Sequence, residues 1–543
     1  MNEFIKVNTT GAGTSYTENG AVSYASTGSE LIDQFSKAGT ARGRNIDEVW
    51  VDQAKLWGSD PVNALKFPFY LRMITRQTNL LNEGQKTEKV QKGQGARDEA
   101  FKRLLWIARY HKDEFYRNLW ILPLVGSWKD LWVLLSMDDT LDKEKFFEVI
   151  AQGINSATHK DLVKKYMPRI RANKICTTDW AKKTNQLAKD FAHFAGWSLK
   201  EYREFKSTGK AHVFQKVICA RMYDKLNFNL IPGKALLNLV SGDFLKNHNL
   251  TDTYVEWLKT QPVAKFNGYV YELGKKLPKS GYGSGTLTEA QKITIDKQFD
   301  SLIATAEKDG PAINGNVLVA LDTSGSMTSQ ISGVPGLTSF DVCISLGIYF
   351  SELNKGAFHN TVAMFDDTSR LKTFKSKTFT EKWYEILKEN TAWGSTNVLS
   401  IIEMMIRTRK EHPEIPIEDY CSTILVVSDM QFNPTGRYSY YGGKEQTTYE
   451  AMQSMLRTAF PDEWVNKLRI IWWYCASREG SSHDVPVTMD MPGMYVLSGF
   501  DGAVISLILS SDEVDEKTGE VKQLSMAESV EKALTQEILT LVQ

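Results

Sequence analysis

Cysteine is scarce in this sequence, and its five copies lie far apart, at Cys176, Cys219, Cys343, Cys421 and Cys475. No C-x-x-C pair occurs and the total is odd, which argues against a disulfide framework or a cysteine zinc site. We therefore predict a reduced, cytoplasmic chain. No apolar run approaches the ~18 residues that a membrane span needs. The first residues also lack a basic stretch followed by an apolar core, so we expect no secretory signal and no membrane partner.

Two sequence motifs are also missing, one typical of a serine nucleophile and one typical of phosphate binding. The sequence contains neither a G-x-S-x-G elbow nor the phosphate loop G-x-x-x-x-G-K-[ST]. Serine hydrolase chemistry and P-loop nucleotide binding are therefore not predicted.

Charge is balanced overall but divided unevenly along the chain. There are 65 basic and 65 acidic residues, yet residues 1–300 hold 45 basic against 33 acidic, and residues 301–543 hold 20 against 32. The whole positive excess lies in residues 151–300, with 25 basic against 13 acidic. A localised positive field favours a polyanion as partner. The alternative is a basic surface that is merely solvated or that docks on the acidic half.

Helical periodicity dominates from about residue 29 to residue 277. Apolar residues recur at spacings of three and four, as in the stretch of residues 98–124, and no strand pattern intervenes. This pattern predicts amphipathic helices of ~12–18 residues in a HEAT-like α-helical solenoid, with a plainer all-α bundle as the alternative. A Gly/Ser-rich stretch at residues 278–291 indicates a linker.

Strands alternate with helices after residue 312. Five segments read as strands, namely residues 317–322, 361–366, 422–430, 467–476 and 493–499. Helical patterns separate them, which predicts a doubly wound, Rossmann-like α/β domain. The predicted organisation is an extension (1–28), a helical module (29–277), a linker and helix (278–311), the α/β domain (312–510), and a C-terminal loop and helix (511–543).

Oxygen-bearing side chains follow the predicted strands of this domain. Asp322, Ser324 and Ser326 alternate at the end of the first strand, Thr396 lies in the loop "WGSTN", and Asp429 follows a later strand in "VVSDMQF". Ligands of open parallel sheets bind at the carboxyl ends of the strands. Carboxylate and hydroxyl oxygens without His or Cys suit Mg²⁺ or Mn²⁺ better than Zn²⁺. Taken alone, the Asp-x-Ser-x-Ser motif is more typical of a loop that caps a helix, and it is Thr396 and Asp429, each after its own element, that favour a metal site.

These motifs closely resemble the metal-ion-dependent adhesion site (MIDAS) of von Willebrand factor A domains. The resemblance covers about residues 312–510 and implies that Ser324, Ser326 and Thr396 bind the cation directly. It implies that Asp322 and Asp429 act mainly through water. In that family an acidic side chain of a protein partner often completes the coordination, and the domains are not generally enzymes.

Four segments of the helical half are distinctive, namely "LIDQFSKAGTARG", "NALKFPFYLRMITR", "GQGARDEAFKRLLWIARYH" and "LWILPLVGSWKDLW". Their succession resembles the TROVE module of Ro ribonucleoprotein family proteins, and a related uncharacterised family with the same C-terminal A domain. The stretch "SDMQF" is closer to the uncharacterised branch. The Ro resemblance implies a ring of helical repeats closed by the A domain, with structured small RNAs outside and single-stranded ends in the hole.

Basic residues that would neutralise RNA phosphates are concentrated between residues 160 and 225, with aromatic residues among them that are mostly expected in the core. The candidate RNA-binding residues are Lys164, Lys165, Arg169, Arg171, Lys174, Lys182, Lys183, Arg203, Lys206, Lys210, Lys216 and Arg221.

The predicted function is non-catalytic binding of small or single-stranded RNA, with a Mg²⁺-dependent A domain that recruits a protein partner. The alternative is a metal-dependent protein-binding scaffold or assembly factor, such as a phage encodes, with no RNA role. A nuclease is the weakest reading, because two-metal phosphoryl transfer needs several clustered carboxylates and only two acids meet at the predicted site.

Overall fold

The computed structural model describes residues 14–82, 84–208, 213–260, 266–279, 287–309, 313, 315–389, 394–434, 446–476, 484–505, 508, 513–514, 521–522 and 524–543. These residues form two compact units, each assembled from segments that are distant in sequence. The α/β unit takes its residues from Met1–Arg44 and Pro232–Lys532. The helical unit takes its residues from Asn45–Ile231 and Ala533–Gln543.

The helices of four or more residues are numbered along the chain. They are α1 Glu30–Ala38, α2 Ile46–Ser59, α3 Pro61–Arg72, α4 Arg97–Tyr110, α5 Lys112–Asn118, α6 Leu122–Val125, α7 Lys129–Met137, α8 Lys143–Asn155, α9 Lys160–Tyr166, α10 Asp179–Phe194, α11 Leu199–Ser207, α12 Val213–Cys219, α13 Gly233–Ser241, α14 Phe244–Asn247, α15 Thr251–Thr260, α16 Val270–Gly274, α17 Glu289–Asp309, α18 Ser339–Leu353, α19 Phe379–Glu389, α20 Leu399–Glu411, α21 Thr448–Leu456, α22 Asp462–Lys467 and α23 Met526–Leu534.

The strands are likewise numbered along the chain. They are β1 Thr14–Tyr16, β2 Val22–Tyr24, β3 Val317–Asp322, β4 Thr361–Phe365, β5 Ser369–Thr373, β6 Thr423–Ser428, β7 Arg469–Tyr474, β8 Met494–Ser498, β9 Glu513–Val514 and β10 Val521–Lys522.

Helices of the helical unit pack mainly on their neighbours in sequence. Helix α2 contacts α3, α3 contacts α4, α7 contacts α8, and α10 contacts α11. This local packing is the arrangement expected of a helical succession, in which each amphipathic helix buries its apolar stripe against the next one. The predicted α-helical region is confirmed, whereas its closure into a ring stays a prediction.

The periodic stretch of residues 98–124 contains three helices, α4, α5 and α6. Helix α4 ends at Tyr110, and the next residue, His111, leaves the helical conformation with φ −136°. The imidazole ring of His111 stacks on Trp57, with ring centroids 3.8 Å apart. A single 3₁₀ turn at Leu119–Ile121 then precedes α6, which has Pro123 in its first turn. Proline lacks the N–H that a continuing helix needs, but it fits the first turn of a new one. Helix α4, with 14 residues, has the predicted length, whereas α5 and α6 are shorter than predicted.

The main sheet has six strands in the order β5-β4-β3-β6-β7-β8. All neighbouring strands are parallel except β4 and β5, which pair antiparallel at one edge. Central strand β3 is buried along its whole length. Helix α18 packs on β3, β4 and β6 and begins with a capping box between Thr338 and Asp341. The predicted doubly wound, Rossmann-like architecture is confirmed.

Strand β5 and helix α19 were not recognised in the sequence. Strand β5 has the residues SRLKT, which are exposed or half-buried and carry two cations. Charged, exposed residues are typical of an edge strand, where pairing on one side only leaves little apolar pattern to detect.

The compact units divide the chain differently from the linear boundaries at residues 28, 277, 311 and 510. Helix α1, assigned from sequence to the helical module, packs on strand β8. Helices α13 and α15 pack on α17, and α16 packs on α18, so the contacts place residues from 232 onwards in the α/β unit. Among the described helices, none is both long enough and apolar enough to cross a membrane.

Candidate metal centre and basic helical residues

The first candidate ligand, Asp322, is the last residue of β3 and is fully buried. Its carboxylate accepts hydrogen bonds from two neighbours. The Ser324 N–H donates to Oδ1 at 2.9 Å, and the Ser428 hydroxyl donates to Oδ2. The parallel pairing of β3 with β6 places Leu321 opposite Val427, which brings Asp322 and Ser428 together at the carboxyl edge. The two remaining hydroxyls of the motif, on Ser324 and Ser326, lie 3.1 Å apart.

The second candidate loop carries Thr396, whose side chain is buried. Its hydroxyl Oγ1 has no hydrogen-bond partner among the described residues. The loop is fixed on both sides, because the Gly325 N–H donates to Gly394 O at 3.0 Å and the Asn433 N–H donates to Thr396 O at 2.9 Å. These bonds join the three loops that the sequence analysis had singled out separately.

The third candidate, Asp429, follows β6 and is 6% exposed. The next residue, Met430, has φ +62°, in the left-handed region that non-glycine residues rarely occupy. Burial, and after it the negative charge of Asp429, raise the pKa of Asp322 above its usual range; hydrogen bonds from Ser324 and Ser428 act in the opposite direction. Two carboxylates therefore share a buried region in which like charges repel.

The donor set fits a small hard cation. A divalent ion would balance the two carboxylate charges, and the Thr396 hydroxyl would gain the partner that it lacks within the described residues. No three His, Cys, Asp or Glu side chains cluster among those residues, so a cation here depends on the hydroxyl oxygens of Ser324, Ser326 and Thr396. Hydroxyl and carboxylate donors are those of Mg²⁺ and Mn²⁺ sites.

Three residues of this centre escaped the sequence analysis. Ser428 bonds the Asp322 carboxylate, Gln431 donates its backbone N–H to Asp429 Oδ1 at 3.4 Å, and Asn433 ties the Thr396 loop to the Asp429 loop. All three lie within or beside the quoted stretch "VVSDMQF". Their polarity was visible, but only the structure shows which groups they contact.

The candidate RNA-binding residues lie in or beside helices α9 to α12. The side chains of Lys165, Arg169, Arg171, Lys174, Lys182, Arg203, Lys216 and Arg221 are exposed, and those of Lys164, Lys183 and Lys206 are half-buried. Lys210 lies outside the described residues. Two of the cations are neutralised locally, since Lys182 pairs with Asp179 at 3.4 Å and Lys183 with Asp139 at 3.0 Å. The other described members form no ion pair among the described residues.

Three of these cations lie in the region where α9 contacts α11, and among them the charge of Arg169 acts on Lys206. The Lys206 ammonium donates to Lys164 O at 3.1 Å, and the Lys164 ammonium donates to Thr208 Oγ1 at 3.2 Å. Burial, and after it the nearby charge of Arg169, lower the pKa of Lys206 to about 8. We call Lys164, Arg169 and Lys206 the cation cluster. Like charges held together without an acidic partner are arranged to receive an anion.

The aromatic residues of this stretch are mainly structural. Tyr202 is fully buried and donates its hydroxyl to Pro168 O at 2.8 Å, while Trp197 and Phe205 pack together with ring centroids 4.8 Å apart. Among the described aromatic residues of this stretch Trp180 is the most exposed, at 53%, ahead of Phe194 at 41%, and the Lys129 ammonium lies 6.0 Å from the Trp180 ring centre. Trp180 was not predicted as a candidate, because helical periodicity cannot distinguish an exposed tryptophan from a buried one.

The described fold and centre thus define a helical unit together with a Rossmann-like unit that has hydroxyl and carboxylate donors at its carboxyl edge. A family model described as "Domain of unknown function (DUF7788)" matches residues 316–540. That match contains all five candidate metal ligands and none of the candidate RNA-binding residues.

Two known proteins are similar to most of the chain. Uncharacterized protein L728 of Acanthamoeba polyphaga mimivirus is 23% identical over 542 residues, covering 92% of this chain and 86% of that protein. The crystal structure of the Deinococcus radiodurans RO (RSR) protein matches with 15% identity and a TM-score of 0.37, covering 89% of this chain and 99% of that one. Neither similarity identifies a ligand for this chain.

Proposed function

We propose that this chain is a non-catalytic RNA-binding protein of the Ro type. Its helical unit holds RNA phosphates on exposed Lys and Arg side chains, and its α/β unit holds Mg²⁺ or Mn²⁺. The observation that carries the RNA part is the cation cluster, in which Lys206 lies near the charge of Arg169 and donates to the Lys164 backbone carbonyl, without an acidic partner among the described residues. A phosphate bound there would offset the burial and, after it, the repulsion from Arg169 that together lower the pKa of Lys206.

Single-stranded or small RNA is favoured over duplex DNA by the surroundings of these cations. Trp180 presents an exposed indole at the start of α10, and the Lys129 ammonium lies 6.0 Å from its ring centre. An aromatic face beside cations is the arrangement on which an unpaired base stacks while its phosphates are neutralised.

The α/β unit supplies the second part of the proposal. Ser324, Ser326 and Thr396 would hold the cation directly, and Asp322 and Asp429 would balance its charge through water. The bound ion would offer one coordination position to a carboxylate of a protein partner. The chain's own residues would bind and orient the ion, and no covalent bond would be broken at this site.

A metal-dependent protein-binding scaffold without an RNA role is the second candidate function. The unpartnered Thr396 hydroxyl and the paired carboxylates favour it, because they describe a cation site and involve no basic residue. In that case the cations of the helical unit would be an ordinary solvated surface.

A salt titration of RNA binding distinguishes the two candidates. Affinity for single-stranded RNA is expected to fall log-linearly with salt, by roughly 0.7 log unit per log unit of salt for each phosphate neutralised. Reversing Lys164, Lys165, Arg169 and Arg171 to Glu together should flatten this slope and weaken binding to all sequences alike.

The matched control reverses four exposed lysines of the α/β unit that form no ion pair among the described residues, namely Lys308, Lys377, Lys388 and Lys410. This control has the same change in net charge and should keep most of the slope. Absence of RNA binding at low salt, or equal slopes for both quadruple variants, would favour the protein-binding scaffold.

A further inference from the structure

The N-terminal hairpin, strands β1 and β2 with their turn at residues 17–21, packs against the loop that carries Asp429. Residues 1–28 were predicted to be an N-terminal extension. In the structure residues 14–28 belong to the α/β unit. Within the described residues, three hydrogen bonds given by Thr17, Glu18 and Asn19 join the hairpin to the Asp429 loop.

All three bonds end on Gln431 or Phe432. The Asn19 side-chain amide donates to Gln431 O at 2.6 Å, and the Glu18 N–H donates to Gln431 Oε1 at 2.7 Å. The Thr17 hydroxyl donates to Phe432 O at 2.6 Å. Gln431 is therefore held through both its backbone carbonyl and its side chain.

Gln431 and its neighbours contact the candidate metal ligands on their other side. The Gln431 N–H faces Asp429 Oδ1 at 3.4 Å. Two residues on, the Asn433 N–H donates to Thr396 O at 2.9 Å and the Asn433 side-chain amide donates to Ser395 Oγ at 2.6 Å. A short series of hydrogen bonds thus connects the hairpin with two of the three loops that carry the candidate ligands.

This loop needs an external support. Met430 has φ +62°, a conformation that costs of order 1 kcal/mol for a non-glycine residue and persists only where the surroundings impose it. Within the described residues, the bonds from the hairpin supply such support at Gln431 and Phe432, immediately after Met430. The hairpin itself is anchored independently, because Tyr24 and Val485 exchange two backbone hydrogen bonds of 2.9 Å.

We propose that the N-terminal hairpin is a positioning element of the metal centre, with Thr17 and Asn19 fixing the loop that presents Asp429 and, through Asn433, the loop that carries Thr396. The inference rests on the proposed metal site. Groups that orient metal ligands typically change metal affinity by about 10–100-fold when they are removed. Thr17 and Asn19 do not contact the candidate ligands themselves but the residues that follow Asp429. We therefore expect a change in metal affinity near the lower end of that range.

The test uses the full chain and Mn²⁺ alone as the probe. The double variant Thr17→Val/Asn19→Ala removes both side-chain donors and should raise the Kd for Mn²⁺ about tenfold by calorimetry or Mn²⁺ electron paramagnetic resonance. Thr17→Ser in place of Thr17→Val keeps the hydroxyl and should restore part of the affinity.

Ser15→Ala is the matched control. Ser15 lies on the same hairpin, but its hydroxyl donates to Asp484, in the segment between β7 and β8. This variant removes a hydrogen bond of the hairpin that does not reach the Asp429 loop, keeps the bonds from Thr17, Glu18 and Asn19, and should leave Mn²⁺ affinity unchanged. An unchanged Kd in the double variant, or an equal loss in Ser15→Ala, would overturn the positioning role.

Hydrogen exchange of metal-free protein separates this inference from the metal proposal. The double variant should exchange faster at residues 429–433 than wild type, whether or not the wild type binds Mn²⁺. Absence of Mn²⁺ binding by wild type would refute the metal site, whereas unchanged exchange at residues 429–433 would refute the hairpin inference.

Discussion

The two candidate sites of this molecule are built in opposite ways. At the carboxyl edge of the sheet, Asp322, Ser324, Thr396 and Asp429 are each at most 6% exposed and lie in loops that are hydrogen-bonded to each other or to neighbouring strands. In the helical unit, most of the candidate cations are exposed, and nine form no ion pair among the described residues. At the first site a single substitution is expected to abolish metal binding. At the second site each substitution is expected to reduce RNA affinity by a small amount, and these amounts should add.

The largest expected effect is at Asp322. Asp322→Asn should abolish Mn²⁺ binding and leave the helical unit folded, as calorimetry and circular dichroism would show. In metal-free protein the same change should raise the Tm, because it removes one of two buried carboxylates that repel each other.

Asp341→Asn gives the contrast within the same unit. Asp341 is equally buried, but it pairs with Lys279 at 2.6 Å and caps α18. Its loss should cost about 1–3 kcal/mol of stability and leave Mn²⁺ affinity unchanged. If Asp341→Asn abolished Mn²⁺ binding as Asp322→Asn does, the metal site would not be local to the three loops.

Two glycines, Gly39 of the α/β unit and Gly58 of the helical unit, allow the packing of the two units to be compared. A Cβ on Gly39 would lie 2.5 Å from the Ser498 carbonyl oxygen, a backbone atom that cannot move aside, whereas a Cβ on Gly58 would meet nothing within 4 Å. Gly39→Ala should destabilise the α/β unit by about 1–3 kcal/mol. Gly58→Ala, inside α2, should stabilise the helical unit by about 0.5–1 kcal/mol. Thermal unfolding of both variants shows whether each substitution lowers or raises the stability. A stabilising Gly39→Ala would contradict the packing of α1 on β8.

Single neutralisations in the helical unit should have smaller and additive effects. Arg169→Gln or Arg171→Gln should each reduce the salt slope of RNA binding by roughly 0.7, and the double variant by their sum. Asp322→Asn should leave RNA affinity unchanged. A single variant that abolished RNA binding would show that this surface, too, is a concentrated site.

The smallest expected effect is a pH dependence from Lys206. Its pKa is lowered to about 8 by burial and by Arg169, so the ammonium loses its charge as pH rises through that value. RNA affinity should therefore decline from pH 7 to 9 by about fourfold at 0.15 M salt, the contribution of one phosphate contact. Lys206→Arg stays charged throughout and should remove the decline. An identical pH profile in that variant would place the phosphate elsewhere.

Local patterns predicted much of this molecule correctly. Five of the six strands of the main sheet were recognised, because buried strands of a parallel sheet are continuous apolar runs. The start of the helical pattern at about residue 29 was also predicted correctly, since Ser29 caps α1. Edge strand β5 was not predicted, because its partly exposed residues leave no apolar pattern. The helix ends within residues 98–124 were not predicted either, because the apolar spacing continues from one helix into the next.

By itself the sequence determined the alternation of strands and helices, the presence of oxygen donors after strands β3 and β6, and the concentration of positive charge in residues 151–300. Each of these properties depends on neighbouring residues, whose spacing the chain fixes directly. Only the tertiary structure decided that Thr17 and Asn19 hold the Asp429 loop, that Ser428 bonds Asp322, and that Lys206 lies beside Arg169. Such contacts depend on which distant segments meet. Which segments come into contact depends on how the whole unit buries its apolar residues. A short stretch of sequence therefore does not predict these contacts.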